Sequence, residues 1–431
     1  MLGLAGVVAA AAAAPSAGRD LDANTPGCGT DPPWNGWQTL SVPDPLAGRI
    51  DRQFMLYVPP NYDSFASTPL VLDYHGYSNQ AERHADESGI QEAADEFNFI
   101  AVFPQGLDDT EQGNQQAYSW NSVGTVESPG PQGDTCRWAD SWGGYACHTS
   151  CRPTRGCYSN QYAAGCDCST CADDVLFTEL MINWLEDELC IDLRRIHVTG
   201  FSNGGMMSYQ LAQSRLGLRI ASIAPLCGSP LHGFNVRPAR PMAVMSIQGS
   251  SDSIIPANCT GSSCGPGGST VSSDGFYYAP IGQVTDVWGT ANDCVGEGRL
   301  YPTRYEGQGS FWCMASEGTC RAGGPVVRCA FQGGHTWPFA TTVQWARTIW
   351  EFFSGNPLTD ETRTYEAAAA AAAAKISDAG PAPCDAPGFV NCSSYKFQGQ
   401  CEAADDPGCC HWCEAAKGCL PNRTACGKAP H

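Results

Sequence analysis

Lysine is almost absent from this 431-residue chain. The sequence contains four lysines, and all of them lie at or after Lys375. Schiff-base lysines, Ser-Lys dyads and lysine-containing phosphate loops are therefore excluded from the first 374 residues. The sequence also lacks an H-E-x-x-H zinc motif and a dinucleotide-binding glycine fingerprint after a strand. Chemistry in the main part of the chain must therefore come from serine, histidine, carboxylates or cysteine.

Charge is scarce and mostly negative. Charged residues make up 16% of the chain, with 24 basic and 44 acidic residues and a net charge of −20. A chain this acidic repels phosphate backbones and anionic lipid surfaces, so no nucleic-acid partner is expected. Beyond the N-terminal segment, no apolar run reaches the ~18 residues that a membrane-spanning helix needs. No membrane span is therefore expected.

The N-terminal segment and the cysteine content both indicate secretion. Residues 2–14 are apolar and alanine-rich and precede small residues, a pattern that predicts a signal peptide over residues 1–17. The chain contains 24 cysteines, a density typical of oxidising compartments in which disulfides persist. Glycosylation sequons begin at Asn258, Asn391 and Asn422 and are compatible with a secreted glycoprotein.

Short apolar runs alternate with helical periods over residues 70–353. The predicted strands are 70–74, 99–103, 195–199, 220–226, 242–248 and 326–331. The predicted helices are 80–97, 173–189, one that begins near 203, and 341–353; residues 175, 176, 180, 184 and 185 form the expected buried side of the second. This alternation predicts an α/β fold with a mostly parallel sheet and helices on both faces. Residues 38–58 are expected to add antiparallel strands at one edge.

Two segments interrupt this pattern and suggest the domain organisation. A catalytic domain is predicted over 28–356, with a Cys-rich insertion at about 105–172 that is too long for a connecting loop and forms either a disulfide-bonded cap or a lid. Residues 357–383 are expected to be an alanine-rich linker. Residues 384–431 contain eight cysteines and are too few to fold around an apolar core alone, so a disulfide-rich module is predicted.

Ser202 is the predicted nucleophile. The G-x-S-x-G sequence at 200–204 lies between a predicted strand and a predicted helix, where it forms a nucleophile elbow that exposes the serine hydroxyl. A second match at 261–265, with Ser263 in the serine position, has no predicted strand before it and no predicted helix after it. The structural context therefore favours Ser202.

A serine nucleophile needs a histidine base, which in turn needs an orienting carboxylate. His335 follows the predicted strand 326–331 in a glycine-rich loop, whereas His232 is expected at the surface. Asp252 follows the predicted strand 242–248 and is better placed than aspartates 286 and 293, which lie in or beyond the next helix. The predicted catalytic residues are therefore Ser202, Asp252 and His335.

The negative oxygen that forms during attack on a carbonyl needs backbone N–H donors. The amides of Asn203 and Tyr77 are the expected donors, and His75 is expected to brace the loop that carries Tyr77. Trp120 and Trp337, together with Tyr77, are candidate walls for the bound substrate, with plain packing as the alternative.

Several motifs in fixed order resemble secreted α/β-hydrolases of the polyhydroxybutyrate depolymerase and feruloyl esterase group. They are His75-Gly76-Tyr77, Phe103-Pro104-Gln105-Gly106, Ser119-Trp120-Asn121, Asp173-Asp174-Val175, Gly200-Phe201-Ser202-Asn203-Gly204-Gly205 and Gly334-His335-Thr336-Trp337-Pro338. The resemblance covers about residues 35–354 and implies a Ser-Asp-His triad that hydrolyses carboxylic esters, often on polymers. Both feruloyl or acetyl polysaccharide esters and polyhydroxybutyrate remain open as substrates. The Cys-rich insertion is longer than this family pattern.

The cysteines raise two further questions. Disulfides are expected, with Cys259–Cys264 and Cys294–Cys320 as local pairs, although zinc binding is an alternative for the clusters at 166–171 and 409–413. No cofactor or catalytic metal is expected. The C-terminal module could bind a polysaccharide or polyester surface, or it could be a structural appendage. A catalytically inactive hydrolase-fold protein that binds through this module is the alternative function.

Overall fold

The computed structural model describes residues 20–30, 32, 35–45, 50–110, 116–137, 145, 148–151, 166, 168–315, 318–360, 411–413 and 418–420. Leu21–Thr359 forms one compact unit, and Met1–Asp20 with Asp360–His431 form a second. The predicted signal peptide, most of the linker and most of the Cys-rich module lie outside the described residues. Those predictions therefore remain predictions.

A ten-stranded sheet forms the centre of the larger unit. Its strands are β1 (Gly36–Asp44), β2 (Ile50–Val58), β3 (Thr68–Tyr74), β4 (Ile100–Pro104), β5 (Ile191–Phe201), β6 (Ser222–Leu226), β7 (Ala243–Gly249), β11 (Arg299–Leu300), β12 (Trp312–Ala315) and β14 (Val326–Phe331). The order across the sheet is β1-β2-β4-β3-β5-β6-β7-β14-β12-β11. The six strands from β4 to β14 in this order run parallel, and antiparallel strands flank them on both edges.

Short strand pairs lie outside this sheet. In the larger unit they are β8 (Thr270–Val271) with β9 (Tyr277–Tyr278) and β10 (Cys294–Val295) with β13 (Thr319–Cys320). In the second unit, β15 (His411–Cys413) pairs antiparallel with β16 (Gly418–Leu420). Single 3₁₀ turns occupy Thr149–Cys151, Arg215–Leu218, Gly261–Ser263, Pro266–Gly268 and Gln308–Ser310.

Helices cover both faces of the sheet. They are α1 (Ala81–Ser88), α2 (Ile90–Phe97), α3 (Asp174–Glu188), α4 (Asn203–Gln213), α5 (Ile281–Ala291) and α6 (Thr342–Ser354). Helices α3, α4 and α5 share one apolar core, while α1, α2 and α6 share the core on the opposite face. The predicted α/β class is therefore confirmed, and the strand order with its helix layers is that of an α/β-hydrolase fold. None of the helices in the described ranges is long and apolar enough to cross a bilayer.

The single helix predicted over 80–97 is wrong, because the chain forms two helices there. Gly89 separates α1 from α2 and has a φ of 70°, in the left-handed region that favours glycine. A Cβ atom at Gly89 would lie 2.6 Å from the backbone nitrogen of Val343 in α6. The break therefore lets α6 approach the α1–α2 junction, a tertiary contact that helical periodicity does not reveal.

Helix α3 begins as predicted but buries a different face. The Asp173 side chain caps the helix by accepting a hydrogen bond from the Leu176 backbone N–H at 2.9 Å. The most buried residues are 174, 177, 178, 181, 182, 185 and 186, whereas 175, 176, 180 and 184 of the predicted side are only partly buried. The prediction failed because α3 is apolar on several sides and also packs a carboxylate, Asp174, inward.

Asp174 holds a buried ion pair that links α3 to the sheet. Its Oδ1 lies 2.6 Å from Nη2 of Arg52 in β2, and its Oδ2 accepts the Asn121 backbone N–H at 2.7 Å. The guanidinium also lies 4.2 Å from the ring centre of Phe177. Burial raises the pKa of Asp174, while Arg52 opposes that rise. Both side chains are buried, and the buried carboxylate of Asp44 lies farther from the guanidinium, at 3.7 Å, so Asp174 is the closest counter-charge of Arg52.

Asp174→Ala is expected to lower the free energy of unfolding by about 3–5 kcal/mol, because it leaves the Arg52 guanidinium buried without its closest carboxylate. Urea unfolding followed by circular dichroism measures the change. Asp173→Ala is the matched control, since Asp173 is exposed and its capping bond contributes only about 1 kcal/mol. Equal losses in the two variants would contradict this role for the ion pair.

Disulfides bind the insertion and the sheet edges to the core. The described pairs are Cys28–Cys190, Cys136–Cys166, Cys151–Cys171, Cys259–Cys264, Cys294–Cys320 and Cys313–Cys329. The two predicted local pairs are thus confirmed. Zinc binding by Cys166 and Cys171 is wrong, because both thiols are consumed in disulfides. The cysteines at 409 and 410 lie outside the described residues.

Candidate active site

Ser202 occupies a sharp turn between β5 and α4. Its φ of 59° and ψ of −119° place a non-glycine residue in a sparsely populated region, as a nucleophile elbow requires. Gly204 makes the turn possible, because a Cβ atom there would lie 2.0 Å from the carbonyl oxygen of Tyr74. The serine hydroxyl is consequently held at the carboxyl edge of the parallel sheet.

The structure brings Ser202, His335 and Asp252 together in one hydrogen-bonded chain. The Ser202 hydroxyl lies 2.8 Å from Nε2 of His335, and Nδ1 of the same ring lies 2.7 Å from Oδ2 of Asp252. In the neutral tautomer that the carboxylate favours, Nδ1–H donates to Asp252 and Nε2 accepts the serine proton. This arrangement can move a proton from the serine to the imidazole.

Asp252 is fixed on its other side by the backbone. Its Oδ1 accepts the N–H groups of Ile254 and Ile255 at 2.8 and 2.9 Å. The carboxylate is buried, whereas His335 is partly exposed. The loop after β7 therefore presents one oxygen to the imidazole and holds the other still.

The predicted oxyanion donors flank Ser202. Asn203 begins α4, so its backbone N–H belongs to the first turn, where helical amides lack an intrahelical acceptor. The segment that carries Tyr77 is also close, since a Cβ atom on Gly76 would lie 3.3 Å from Cβ of Ser202. Both predicted donors thus belong to segments next to the hydroxyl.

His75 braces this segment, as the sequence predicted. Its Nδ1 lies 2.7 Å from the Gly76 carbonyl oxygen, and its Nε2 accepts the Gly106 backbone N–H at 2.9 Å. Burial lowers the pKa of His75 to about 3, so the ring stays neutral. A neutral ring with Nδ1–H donating to Gly76 satisfies both contacts and fixes the peptide that leads into Tyr77.

Trp120 does not line the surface, so its prediction as a substrate wall is wrong. The ring is fully buried, packs edge-on against Tyr74 with centroids 5.0 Å apart, and donates its Nε1–H to the His75 carbonyl at 2.8 Å. Trp337 is partly exposed and stacks on Phe201 at 5.3 Å. Of the two tryptophans, only Trp337 has surface that a substrate could reach.

The side chain of Asn203 has a role that the sequence analysis missed. Its Oδ1 accepts the Trp120 backbone N–H at 2.7 Å, and its Nδ2 donates to the Trp120 carbonyl and to Ser122 Oγ, both at 3.1 Å. The asparagine therefore ties the Trp120 loop to the start of α4. The polar residue next to the predicted nucleophile was the only sequence signal for this contact.

Cys227 is a second residue near the site that the sequence did not single out. This buried cysteine directly follows β6, and its backbone N–H donates to the Ile247 carbonyl at 2.8 Å. Burial and the negative charge of Asp252 raise the pKa of its thiol, so it stays protonated at neutral pH. Its position directly after a predicted strand, like that of Ser202, was the available signal.

Aromatic side chains connect the Cys-rich insertion to the oxyanion segment. Tyr145 of the insertion packs edge-on against Tyr77 and Phe276, with ring centroids 5.3 and 5.5 Å apart. Its hydroxyl donates to Oδ2 of Asp274 at 2.5 Å. Tyr77 is partly exposed, so this aromatic cluster borders the surface next to Ser202.

The chain is similar to known esterases. It is 30% identical to feruloyl esterase B of Piromyces equi over 39% of this chain and 29% of that protein, so it spans less than a third of that relative's length. It is 24% identical to feruloyl esterase C of Emericella nidulans over 77% of this chain and 91% of that protein. An acetyl xylan esterase structure from Aspergillus awamori shares 12% identity over 74% of this chain and 99% of that one, with a TM-score of 0.44.

No protein-family model matches the chain. The sheet order and helix layers of the chain nevertheless agree with the group that its motifs resemble. The chain is an α/β-hydrolase-fold protein that is similar in sequence to esterases.

Proposed function

We propose that this protein is a carboxylic ester hydrolase that forms an acyl-enzyme on Ser202. The main observation in support of this proposal is the continuous hydrogen-bonded chain from Ser202 through His335 to Asp252. His335 accepts the serine proton as Oγ attacks the ester carbonyl, and it then returns that proton to the leaving alcohol. Water activated by the same imidazole releases the acid and restores the serine.

The amides of Asn203 and Tyr77 stabilise the negative oxygen in this proposal. Removing one such donor typically lowers kcat by about 10²–10³-fold. Backbone amides need no reorientation during the reaction, because a helix start and a histidine-braced segment hold them. This rigidity supports acyl transfer rather than simple binding.

The proposed substrates are esters attached to polymers. The relatives named as feruloyl esterases support a feruloyl ester, and the resembled group adds acetyl polysaccharide esters and polyhydroxybutyrate as the other candidates. The partly exposed Tyr77 and Trp337 supply aromatic surface near Ser202. Six described disulfides support secretion. The Cys-rich module at 384–431 is the candidate for attachment to the polymer.

A fluorophosphonate probe tests the proposal, because it reacts covalently with activated serines. We expect labelling of one serine, Ser202, identified by peptide mass spectrometry, together with hydrolysis of p-nitrophenyl acetate. Absence of both would favour the alternative of an inactive hydrolase-fold binding protein. Release of ferulate from arabinoxylan, compared with clearing of a polyhydroxybutyrate suspension, then distinguishes the polymer classes.

A further inference from the structure

Three side chains of the types that bind metal ions lie close together beside the proposed nucleophile. The Cys227 thiol, an Asp252 carboxylate oxygen and a His335 ring nitrogen all lie within 4.8 Å of one another. They follow β6, β7 and β14, which are neighbours in the sheet and end at the same edge. The proposed reaction uses the aspartate and the histidine but leaves the cysteine without a role.

Cys227 is held in this place at an energetic cost. Its φ of 48° lies in the left-handed region, which is unfavourable for a residue other than glycine. The thiol is fully buried, and Sγ lies 3.6 Å from the carbonyl oxygen of Thr336, the residue after His335. A sulfur atom is therefore fixed against the segment that carries the imidazole.

We propose that Cys227, Asp252 and His335 form an inhibitory site for a thiophilic divalent cation such as Zn²⁺ or Cd²⁺. Thiolate and imidazole select borderline or soft ions, whereas Mg²⁺ and Ca²⁺ require oxygen ligands. Three protein ligands leave a fourth position of a tetrahedral ion for water.

The distances fit a zinc ion after a small movement. Ordinary Zn–S, Zn–N and Zn–O bonds in a tetrahedral site place the ligand atoms about 3.4–3.6 Å apart. The three donors already lie within 4.8 Å of one another, and the 2.7 Å hydrogen bond between His335 and Asp252 must open by about 0.7 Å. Two glycines, Gly333 and Gly334, precede His335 and make such a shift of the loop feasible.

Binding releases one proton and moves another. The ion replaces the thiol proton of Cys227, which leaves to solvent, and it binds neutral His335 through Nδ1, so the ring proton moves to Nε2. Asp252 then binds the ion instead of orienting the imidazole. Because Nε2 then carries the ring proton, it cannot accept the proton of Ser202, and proton transfer stops. This inhibitory consequence rests on the proposed function, whereas the binding itself does not.

Calorimetry with the full-length Ser202→Ala variant tests binding without turnover. We expect ZnCl₂ to bind, and CoCl₂ to produce a sulfur-to-metal charge-transfer absorption. Adding Cys227→Ala should weaken zinc binding at least ~10-fold and abolish that absorption. Cys227→Ser is the size-matched second variant if the alanine variant unfolds. Zinc binding that is equally tight with and without Cys227, or undetectable in the parent, would overturn the site.

Turnover of p-nitrophenyl acetate tests inhibition. Zn²⁺ should inhibit the wild-type protein and Mg²⁺ should not. With each activity expressed relative to the metal-free rate of the same protein, the zinc concentration that halves the activity should be at least ~10-fold higher in Cys227→Ala than in wild type. If zinc binds in the calorimeter but the wild-type protein hydrolyses no ester, the metal site stands and the proposed function is refuted. Zinc inhibition that is unchanged by Cys227→Ala would refute the inhibitory site.

Discussion

Ser202→Ala is expected to lower kcat for ester hydrolysis by about 10⁶-fold. The change removes the atom that would form the acyl-enzyme, and water cannot take its place in the same geometry because His335 is aligned on Oγ at 2.8 Å. Steady-state and burst kinetics with p-nitrophenyl esters measure the loss.

The matched control is Ser263→Ala, at the central serine of the other G-x-S-x-G sequence of the chain. Ser263 lies in a 3₁₀ turn closed by the Cys259–Cys264 disulfide rather than between a strand and a helix. Its replacement should change kcat by no more than about twofold. A Ser202→Ala protein that kept a tenth or more of the wild-type kcat would exclude Ser202 as the nucleophile.

Asp252→Asn is expected to lower kcat by about 10⁴-fold while leaving the fold intact. The backbone N–H groups of Ile254 and Ile255 will hold the remaining amide oxygen, because an NH₂ group cannot accept from them. The amide NH₂ must then face Nδ1 of His335. That contact favours the tautomer with the proton on Nε2, which cannot accept a proton from Ser202.

The same kinetic assay, with thermal unfolding as the fold check, measures this effect. Asp286→Asn, in an exposed position on α5, serves as the matched carboxylate-to-amide control and should stay within about twofold of wild type. A loss of less than tenfold in Asp252→Asn would show that His335 does not depend on Asp252 for its orientation.

The arrangement of the candidate site was largely predictable from the order of the chain. Ser202, Asp252 and His335 follow β5, β7 and β14, and each strand is recognisable as a short apolar run. Parallel strands end at one edge of a sheet, so residues that follow them come together without any knowledge of the loops. The fold class was predicted from the alternation of these short apolar runs with helical periods.

The features that the sequence did not predict depend on contacts between segments that are distant along the chain. Trp120 is buried because Asn203, 83 residues later in the chain, binds its backbone. The break at Gly89 depends on the approach of α6. Cys227 comes close to Asp252 because β6 and β7, which they follow, are neighbours in the sheet. Local periodicity carries no information on any of these partners.

The Cys28–Cys190 disulfide joins residues 162 positions apart and encloses the whole insertion. Within that span, Cys136–Cys166 and Cys151–Cys171 form further closed loops. An extracellular endoprotease that cuts the exposed chain once between Cys28 and Cys190 therefore releases no fragment until a reductant is added. Digested protein should migrate as an intact chain on a non-reducing gel, and a single nick would separate Ser202 from the N-terminal half only under reducing conditions.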